Sequence, residues 1–193
     1  MEPCWARFRW SENMGKFLMT YKEEVVKSME ILSKDERTIF LGQNTLYDGQ
    51  MYGTLTTISK DKIIEMPIAE DMQMGISIGL ALQGYIPITI YERMDFLLLA
   101  MNQLINHLDK LEQMSNGEFK PIVIVRTIIG TKKPLYPGLQ HCQDHTEVIK
   151  AGLTNINIIK LEKSSDIVGE YTKALNSDKS TILIEVREFY DKE

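Results

Sequence analysis

Short apolar runs alternate with amphipathic segments along most of this chain. Runs typical of buried strands occur at 38–42, 63–66, 86–90, 121–126, 156–159 and 181–186. Between them, apolar residues three or four positions apart predict helices over 20–32, 71–83, 94–111 and 166–175. Strand and helix alternate without an internal repeat or a linker. The pattern predicts a single three-layer α/β domain with a mainly parallel six-stranded sheet.

Residues 1–18 stand outside this alternation. They place aromatic residues among polar ones, at Trp5, Phe8, Trp10 and Phe17. Because exposed aromatic residues mark contact surfaces, we expect an N-terminal arm that packs on its own domain or on a neighbour. The domain itself is expected over residues 19–193. Its first helix has a predicted capping box, formed by Thr20 and Glu23.

Residues of functional interest follow three of the predicted strands. Glu70 comes after the second strand, and Met94 to Phe96 come after the third. His141 lies in a stretch without periodicity, 127–147, that follows the fourth strand. A loop this long inside a compact domain is usually functional. Because ligands of parallel sheets bind beyond the carboxyl ends of the strands, these groups predict one site at that edge.

Glu70 opens a predicted apolar helix, next to Ile68 and Met72. A carboxyl group in such surroundings is poorly solvated and can share a proton with a ring nitrogen of a bound cofactor. A carboxylate is also favoured at any helix N-terminus, so a purely structural interpretation stays open. Gly75 and Gly79 are one turn apart on this helix and predict close packing of another backbone, within the domain or across a dimer.

Composition and charge exclude several classes of protein. The 193 residues carry a formal net charge of −5, which argues against a nucleic-acid backbone binder. No apolar run approaches the ~20 residues of a membrane span, and the N-terminus lacks a signal core. Two cysteines, Cys4 and Cys142, form no disulfide framework, so a cytoplasmic location is expected. Neither a dinucleotide fingerprint nor a Walker loop occurs.

Other chemistries are weakly supported by the residues. A metal site would need the group His141, Cys142, Asp144 and His145, but this stretch is rich in turn residues and has no second ligand cluster, so no metal site is expected. Cys142 and His141 are adjacent and point apart, which disfavours a nucleophile pair. His107 is expected on the surface of its helix.

Several blocks together resemble one known family. They are Met66–Glu70, Gly75 and Gly79, Asp95–Phe96, Ala100–Asn106, Pro121–Arg126 and Gln140–His141. Their order and spacing resemble the pyrimidine-binding domain of thiamine-diphosphate enzymes. Within that superfamily, which includes transketolase, the match is best with the beta subunit of the 2-oxo acid dehydrogenase decarboxylase component. The resemblance runs from about Thr20 to the end of the chain.

The resemblance implies roles for individual residues. Glu70 would hydrogen-bond the pyrimidine ring nitrogen of thiamine diphosphate and promote the imino tautomer that forms the ylide. Phe96 would stack on the aminopyrimidine, and Ile68 and Met94 would also contact the cofactor. His141 would reach the substrate side and handle protons or substrate charge.

The sequence departs from the family pattern at several points. Gln43 and Asn44 stand where the family commonly has two acids, and Cys142 replaces a serine. The resemblance leads us to expect that the C-terminal transketolase domain is absent, and no Gly-Asp-Gly magnesium motif occurs in these 193 residues. The resemblance therefore implies an alpha-type partner subunit that holds the diphosphate and Mg2+. It also suggests self-association through helix 71–83, as in a heterotetramer.

The expected function is that of the small, beta-type subunit of a split enzyme that acts on a 2-oxo acid by decarboxylation and acyl transfer. A transketolase-like carboligase that moves a two-carbon unit is the first alternative. Transketolases usually have a histidine directly after the glutamate, where this chain has Asp71, so we favour the 2-oxo acid. A non-catalytic scaffold that kept the fold is the second alternative, favoured by Gln43 and Asn44.

Overall fold

The computed structural model describes residues 19–47 and 49–192, so the predicted arm over residues 1–18 lies outside the described residues. The strands are β1 (Thr38–Gly42), β2 (Ile63–Glu65), β3 (Ile86–Tyr91), β4 (Ile124–Ile129), β5 (Asn157–Lys160) and β6 (Thr181–Val186). They form one sheet in the order β2-β1-β3-β4-β6-β5, and every neighbouring pair is parallel. The predicted α/β class with a parallel sheet is confirmed.

Helices cover both faces of this sheet. They are α1 (Tyr21–Ser33), α2 (Gln50–Gly53), α3 (Glu70–Leu82), α4 (Met94–Leu97), α5 (Leu111–Met114), α6 (Thr146–Gly152) and α7 (Ser164–Leu175). Side chains alternate along each strand, so Ile124 packs with α1 and α7, whereas Val125 packs with α3, α4 and α6. The three predicted layers follow from this alternation.

The start of α1 agrees with the sequence. The hydroxyl oxygen of Thr20 accepts a hydrogen bond from the backbone N–H of Glu23, and the Glu23 carboxylate accepts one from the N–H of Thr20 at 2.8 Å. The helix then buries Val25, Met29 and Leu32 against the sheet.

The predicted long helix over 94–111 is interrupted. After α4, a 3-10 turn covers Leu98–Ala100 and a π-helical segment covers Gln103–Leu108 before α5 begins. Leu97, Leu104 and Leu108 are nevertheless buried, as expected. Apolar spacing predicts which side of a segment faces the core, but it does not determine whether each N–H bonds three, four or five residues back.

Strand β4 begins and ends three residues later than predicted, and it is not wholly apolar. Arg126 is fully buried within it, and its guanidinium donates two hydrogen bonds to Glu185 on β6, at 2.7 and 3.0 Å. The hydroxyls of Tyr171 and Tyr190 also donate to Glu185. Because β4 extends to Ile129 and α6 starts at Thr146, the expected irregular stretch of 127–147 shortens to 130–145.

Candidate functional site

The candidate site lies at the carboxyl edge of the sheet, where Glu70 is the first residue of α3 and only 7% exposed. Its Oε1 accepts a hydrogen bond of 3.1 Å from Nε2 of Gln43, which directly follows β1. The hydroxyl of Tyr91, the last residue of β3, donates to the Glu70 backbone carbonyl at 3.1 Å. Among the described residues no backbone N–H donates to the Glu70 carboxylate. The carboxyl group therefore faces a neighbouring strand end rather than capping its own helix.

Glu70 and Phe96 line the same small cavity. Gln43, Ile90, Tyr91 and Glu92 complete its walls. A carboxylate with one oxygen unclaimed by the described side chains, beside an aromatic ring, suits a flat heteroaromatic ligand with a ring nitrogen. The chemistry of these residues therefore suits an aminopyrimidine.

His141 lies against Phe96. The two rings meet edge to face, with centroids 5.5 Å apart. The guanidinium of Arg93 donates to the His141 backbone carbonyl at 3.2 Å. A Cβ on Gly130 would lie 1.9 Å from that same carbonyl oxygen, so only glycine lets the loop pass this close to the end of β4. The structure thus brings Glu70, Phe96 and His141 to one edge.

The two other predicted cofactor contacts are placed differently. The side chain of Ile68 is 85% exposed and points away from the core. Met94 is fully buried, and its sulfur accepts a hydrogen bond from the backbone N–H of His145. Met94 therefore supports the loop that carries His141, and a direct contact of either residue with a cofactor stays a prediction.

A polar cluster beside this loop was not foreseen. Asp95 accepts a hydrogen bond of 2.9 Å from Gln143, and its Oδ1 lies 3.7 Å from Nε2 of His145. Nε2 of His145, Oδ2 of Asp95 and Nδ1 of His141 are buried without a hydrogen-bond partner. Together with Arg93 and Phe96, this cluster shows that the first turn of α4 supports residues 141–145. Sequence alone showed only that Asp95 follows a strand end.

Two of the four side chains named for a metal site have partners of their own. The thiol of Cys142 donates to the Thr131 carbonyl, and Asp144 pairs with Lys160 at 2.8 Å. Burial raises the pKa of Asp144, but hydrogen bonds from Lys160 and Thr146 outweigh it and lower the pKa to about 2. No group of three potential metal ligands occurs within residues 19–47 and 49–192.

Glu65, at the end of β2, holds the loop that carries Gln43. Its carboxylate accepts hydrogen bonds from the backbone N–H groups of Asn44, Thr45 and Leu46, at 2.6, 2.8 and 2.8 Å. Burial alone would raise the pKa of Glu65, but these hydrogen bonds, with one from the Thr45 hydroxyl, hold it below its ordinary value. The signal available in the sequence was a carboxylate near the end of a predicted strand, and it was not recognised.

Comparisons with known proteins agree with this geometry. No family model matches the chain. The 2-oxoisovalerate dehydrogenase subunit beta of Bacillus subtilis is 25% identical over 178 residues, which cover 90% of this chain and 54% of that protein. The pyruvate dehydrogenase E1 component subunit beta of Mycoplasma genitalium is 24% identical and covers 92% and 55%. The chain is a distant homologue of these beta subunits.

This beta-subunit homologue spans only about half the length of the curated relatives it matches. A solved structure, described as a split gene transketolase and an inactive beta4 tetramer, has a TM-score of 0.70 and 16% identity. It covers 88% of this chain and 51% of that one, and it shows the shared transketolase-like pyrimidine-binding fold. Within the described residues of this chain, no helix is long and apolar enough to cross a membrane.

Proposed function

We propose that this chain is the beta-type subunit of a split thiamine-diphosphate enzyme acting on a 2-oxo acid. The observation that carries the proposal is the buried Glu70 carboxylate, held by Gln43 in a cavity that it shares with Phe96. In this role Glu70 would hydrogen-bond the pyrimidine ring nitrogen and hold a proton there, while Phe96 would orient the ring. When bound, the cofactor would supply the electron sink for the reaction.

His141 would act on the substrate side of the same site. Its ring packs edge-on against Phe96, and Arg93 and Gly130 fix its backbone. A histidine so placed can exchange protons with substrate or neutralise a substrate carboxylate. The contacts from Asp95 and Met94 would keep the loop in register with Phe96.

A partner would complete the site. The sequence has no Gly-Asp-Gly motif, so we propose that an alpha-type chain supplies the diphosphate and Mg2+ groups. The outer face of α3 supports a subunit contact there, since Met72 and Ile76 are 45% and 38% exposed and a Cβ on Gly79 would meet nothing within 4 Å. Gly75 instead faces Gln103 within the domain.

Two observations bear on the alternatives. The structural neighbour is described as a split gene transketolase, so carboligase chemistry remains a second candidate. The amide at Gln43 first favoured a scaffold, but its hydrogen bond to Glu70 supports a retained site.

The test is turnover of the chain mixed with an alpha-type partner, thiamine diphosphate and Mg2+, on 2-oxo acids and on ketose phosphates. We expect Glu70→Gln to lower kcat on the order of 10²- to 10⁴-fold, because the proton held at the ring nitrogen is lost. Asp71→Asn is the matched control: it removes an exposed charge from the same helix turn and should change the rate little. Wild-type turnover in Glu70→Ala would overturn the assignment.

Calorimetry distinguishes the proposed enzyme subunit from a non-catalytic scaffold. Thiamine diphosphate should bind the mixture of the two chains more tightly than either alone. Binding in neither state would support the scaffold. Turnover of ketose phosphates but not of 2-oxo acids would assign the carboligase.

A further inference from the structure

Gln43 is held firmly at the position from which it reaches Glu70. It follows Gly42, where an added Cβ would lie 2.7 Å from the Ile90 carbonyl oxygen, so β1 and β3 are in close contact there. On its other side, the carboxylate of Glu65 anchors three consecutive backbone N–H groups, from Asn44 to Leu46. The 3.1 Å hydrogen bond from Gln43 to Glu70 therefore rests on a fixed backbone rather than on a free side chain.

The chemistry of this contact depends on Gln43 being an amide. An amide nitrogen can only donate to a carboxylate, and the donated hydrogen bond favours the ionised form against the burial of Glu70, which favours the neutral form. A carboxyl group at the same distance would behave differently, because two buried carboxylates in contact cannot both be ionised and share one proton.

The other groups near Glu70 do not change this assignment. Burial raises the pKa of Tyr91, so its hydroxyl remains a donor to the Glu70 carbonyl. Glu92 lines the same cavity, but it lies against Tyr52, whose pKa is raised to about 12 by burial first and by Glu92 second. Asp71, the next residue along α3, is exposed and accepts a hydrogen bond from Gln103 at 3.1 Å.

We propose that Gln43 is a positioning residue that keeps Glu70 ionised in the free chain and leaves its Oε2 for the ligand. The proton that Glu70 shares with a bound ring nitrogen is then taken up from solvent when the ligand binds, rather than being stored in the empty site. This inference rests on the proposed role of Glu70, whose test is separate.

The first test uses the full chain alone, without cofactor, and infrared spectroscopy of carboxyl groups at neutral pH. If Glu70 is ionised, it contributes no protonated-carboxyl band to the wild-type spectrum. Wild type and Glu70→Gln should therefore have the same intensity in that region. Gln43→Glu should gain one such band, and the double variant Gln43→Glu with Glu70→Gln should lose it. A protonated Glu70 in wild type, or no new band in Gln43→Glu, would overturn the proposal.

A matched control comes from the exposed pair of Gln103 and Asp71, which has the same amide-to-carboxylate contact at the same 3.1 Å distance. Gln103→Glu should add no protonated-carboxyl band, because water screens two carboxylates on the surface. A new band there would mean that proximity alone, without burial, explains the result, and it would contradict the proposal.

The second test measures proton uptake on binding of thiamine diphosphate and Mg2+ to the complex with the partner, by calorimetry in two buffers of different ionisation enthalpy. Wild type should take up about one proton more than Gln43→Glu. Binding without that difference would contradict the role of Gln43 and leave the proposed function intact. If no complex binds the cofactor, the proposed function fails, and the infrared result on the chain alone still decides the charge state of Glu70.

Discussion

Glu65 and Glu70 stand close together in the chain, yet their surroundings give them different tasks. Glu65 accepts hydrogen bonds from four donors and is saturated. Glu70 has a single side-chain donor, Gln43, and lines a cavity. A saturated carboxylate stabilises a loop, whereas an incompletely bonded one is available to a ligand.

The role of Glu65 predicts a loss of stability in Glu65→Gln. The new amide would turn donor hydrogens toward backbone N–H groups, so at least one loses its acceptor, at a cost of about 1–3 kcal/mol of unfolding free energy. Urea denaturation at neutral pH measures it. Glu36→Gln, at an exposed position, is the control and should change stability by less than ~0.5 kcal/mol.

The effect of Glu65 should also depend on pH. Its folded-state pKa lies below the ordinary value, so its stabilising contribution is complete above about pH 4.3 and is lost as the pH falls through the lower folded value. The stability difference between wild type and Glu65→Gln should therefore shrink in acid. A difference that stays constant down to the acid transition would contradict this account.

Residue by residue, the sequence predicted which side chains come together at the candidate site better than how they are held there. Glu70, Phe96 and His141 each follow a strand end, and parallel strands bring such residues to one edge. The contacts that fix them, from Gln43 to Glu70 and from Asp95 to Gln143, depend on loop paths and rotamers. Neither contact produces a periodic pattern in the sequence.

At the scale of elements, α3 combines two faces with different partners. Its inner face buries Met74 and Ile78 against the sheet. Its outer face presents Met72 and Ile76, with Ile68 just before the helix. An exposed apolar stripe next to the candidate site is a candidate subunit contact.

We expect Met72→Asp combined with Ile76→Asp to weaken assembly at least tenfold, about 1.4 kcal/mol, because charge replaces apolar contact area. Analytical ultracentrifugation of the chain alone and with its partner measures the change. Val148→Asp, an exposed position on α6, is the control. Unchanged assembly in the double variant would place the interface elsewhere.

Elements differed in how well the sequence predicted them. β6 (Thr181–Val186) was predicted to the residue because its apolar run has polar boundaries. β4 shifted by three residues because Arg126 looks like the polar end of a strand until its buried partner, Glu185, is known. The interrupted helix after Met94 was also missed, because apolar spacing does not determine the hydrogen-bond register of a helix.

At the scale of the whole molecule, one buried charge cluster links distant parts of the chain. Arg126 on β4 pairs with Glu185 on β6, and Tyr171 on α7 and Tyr190 near the C-terminal end bond to the same carboxylate. Beside it, the hydroxyl of Tyr21 on α1 accepts from the backbone N–H of Val186. The β4–β6 half of the sheet is therefore joined to α1 and α7 by polar contacts inside the core.

Removing one partner of this cluster should be costly. Arg126→Met would leave the Glu185 charge buried without its cation, and about 3–5 kcal/mol of unfolding free energy should be lost. That is a large share of the 5–15 kcal/mol typical of a domain.

Chemical denaturation measures the loss, and Arg37→Met is its control. Arg37 pairs with Asp35 at the surface, where an ion pair contributes about 0–1 kcal/mol. Adding Glu185→Leu to Arg126→Met should recover part of the stability, because no uncompensated charge then remains. Equal losses in Arg126→Met and Arg37→Met would contradict a role for burial.

Gly130 shows how a residue without reactive atoms can be as restricted as a catalytic one. Any side chain there would collide with the carbonyl of His141 and crowd the guanidinium of Arg93. In a library randomised at this codon and selected for activity, glycine should be the survivor. Mutational tolerance along the chain would then map the space that the backbone needs as well as the groups that react.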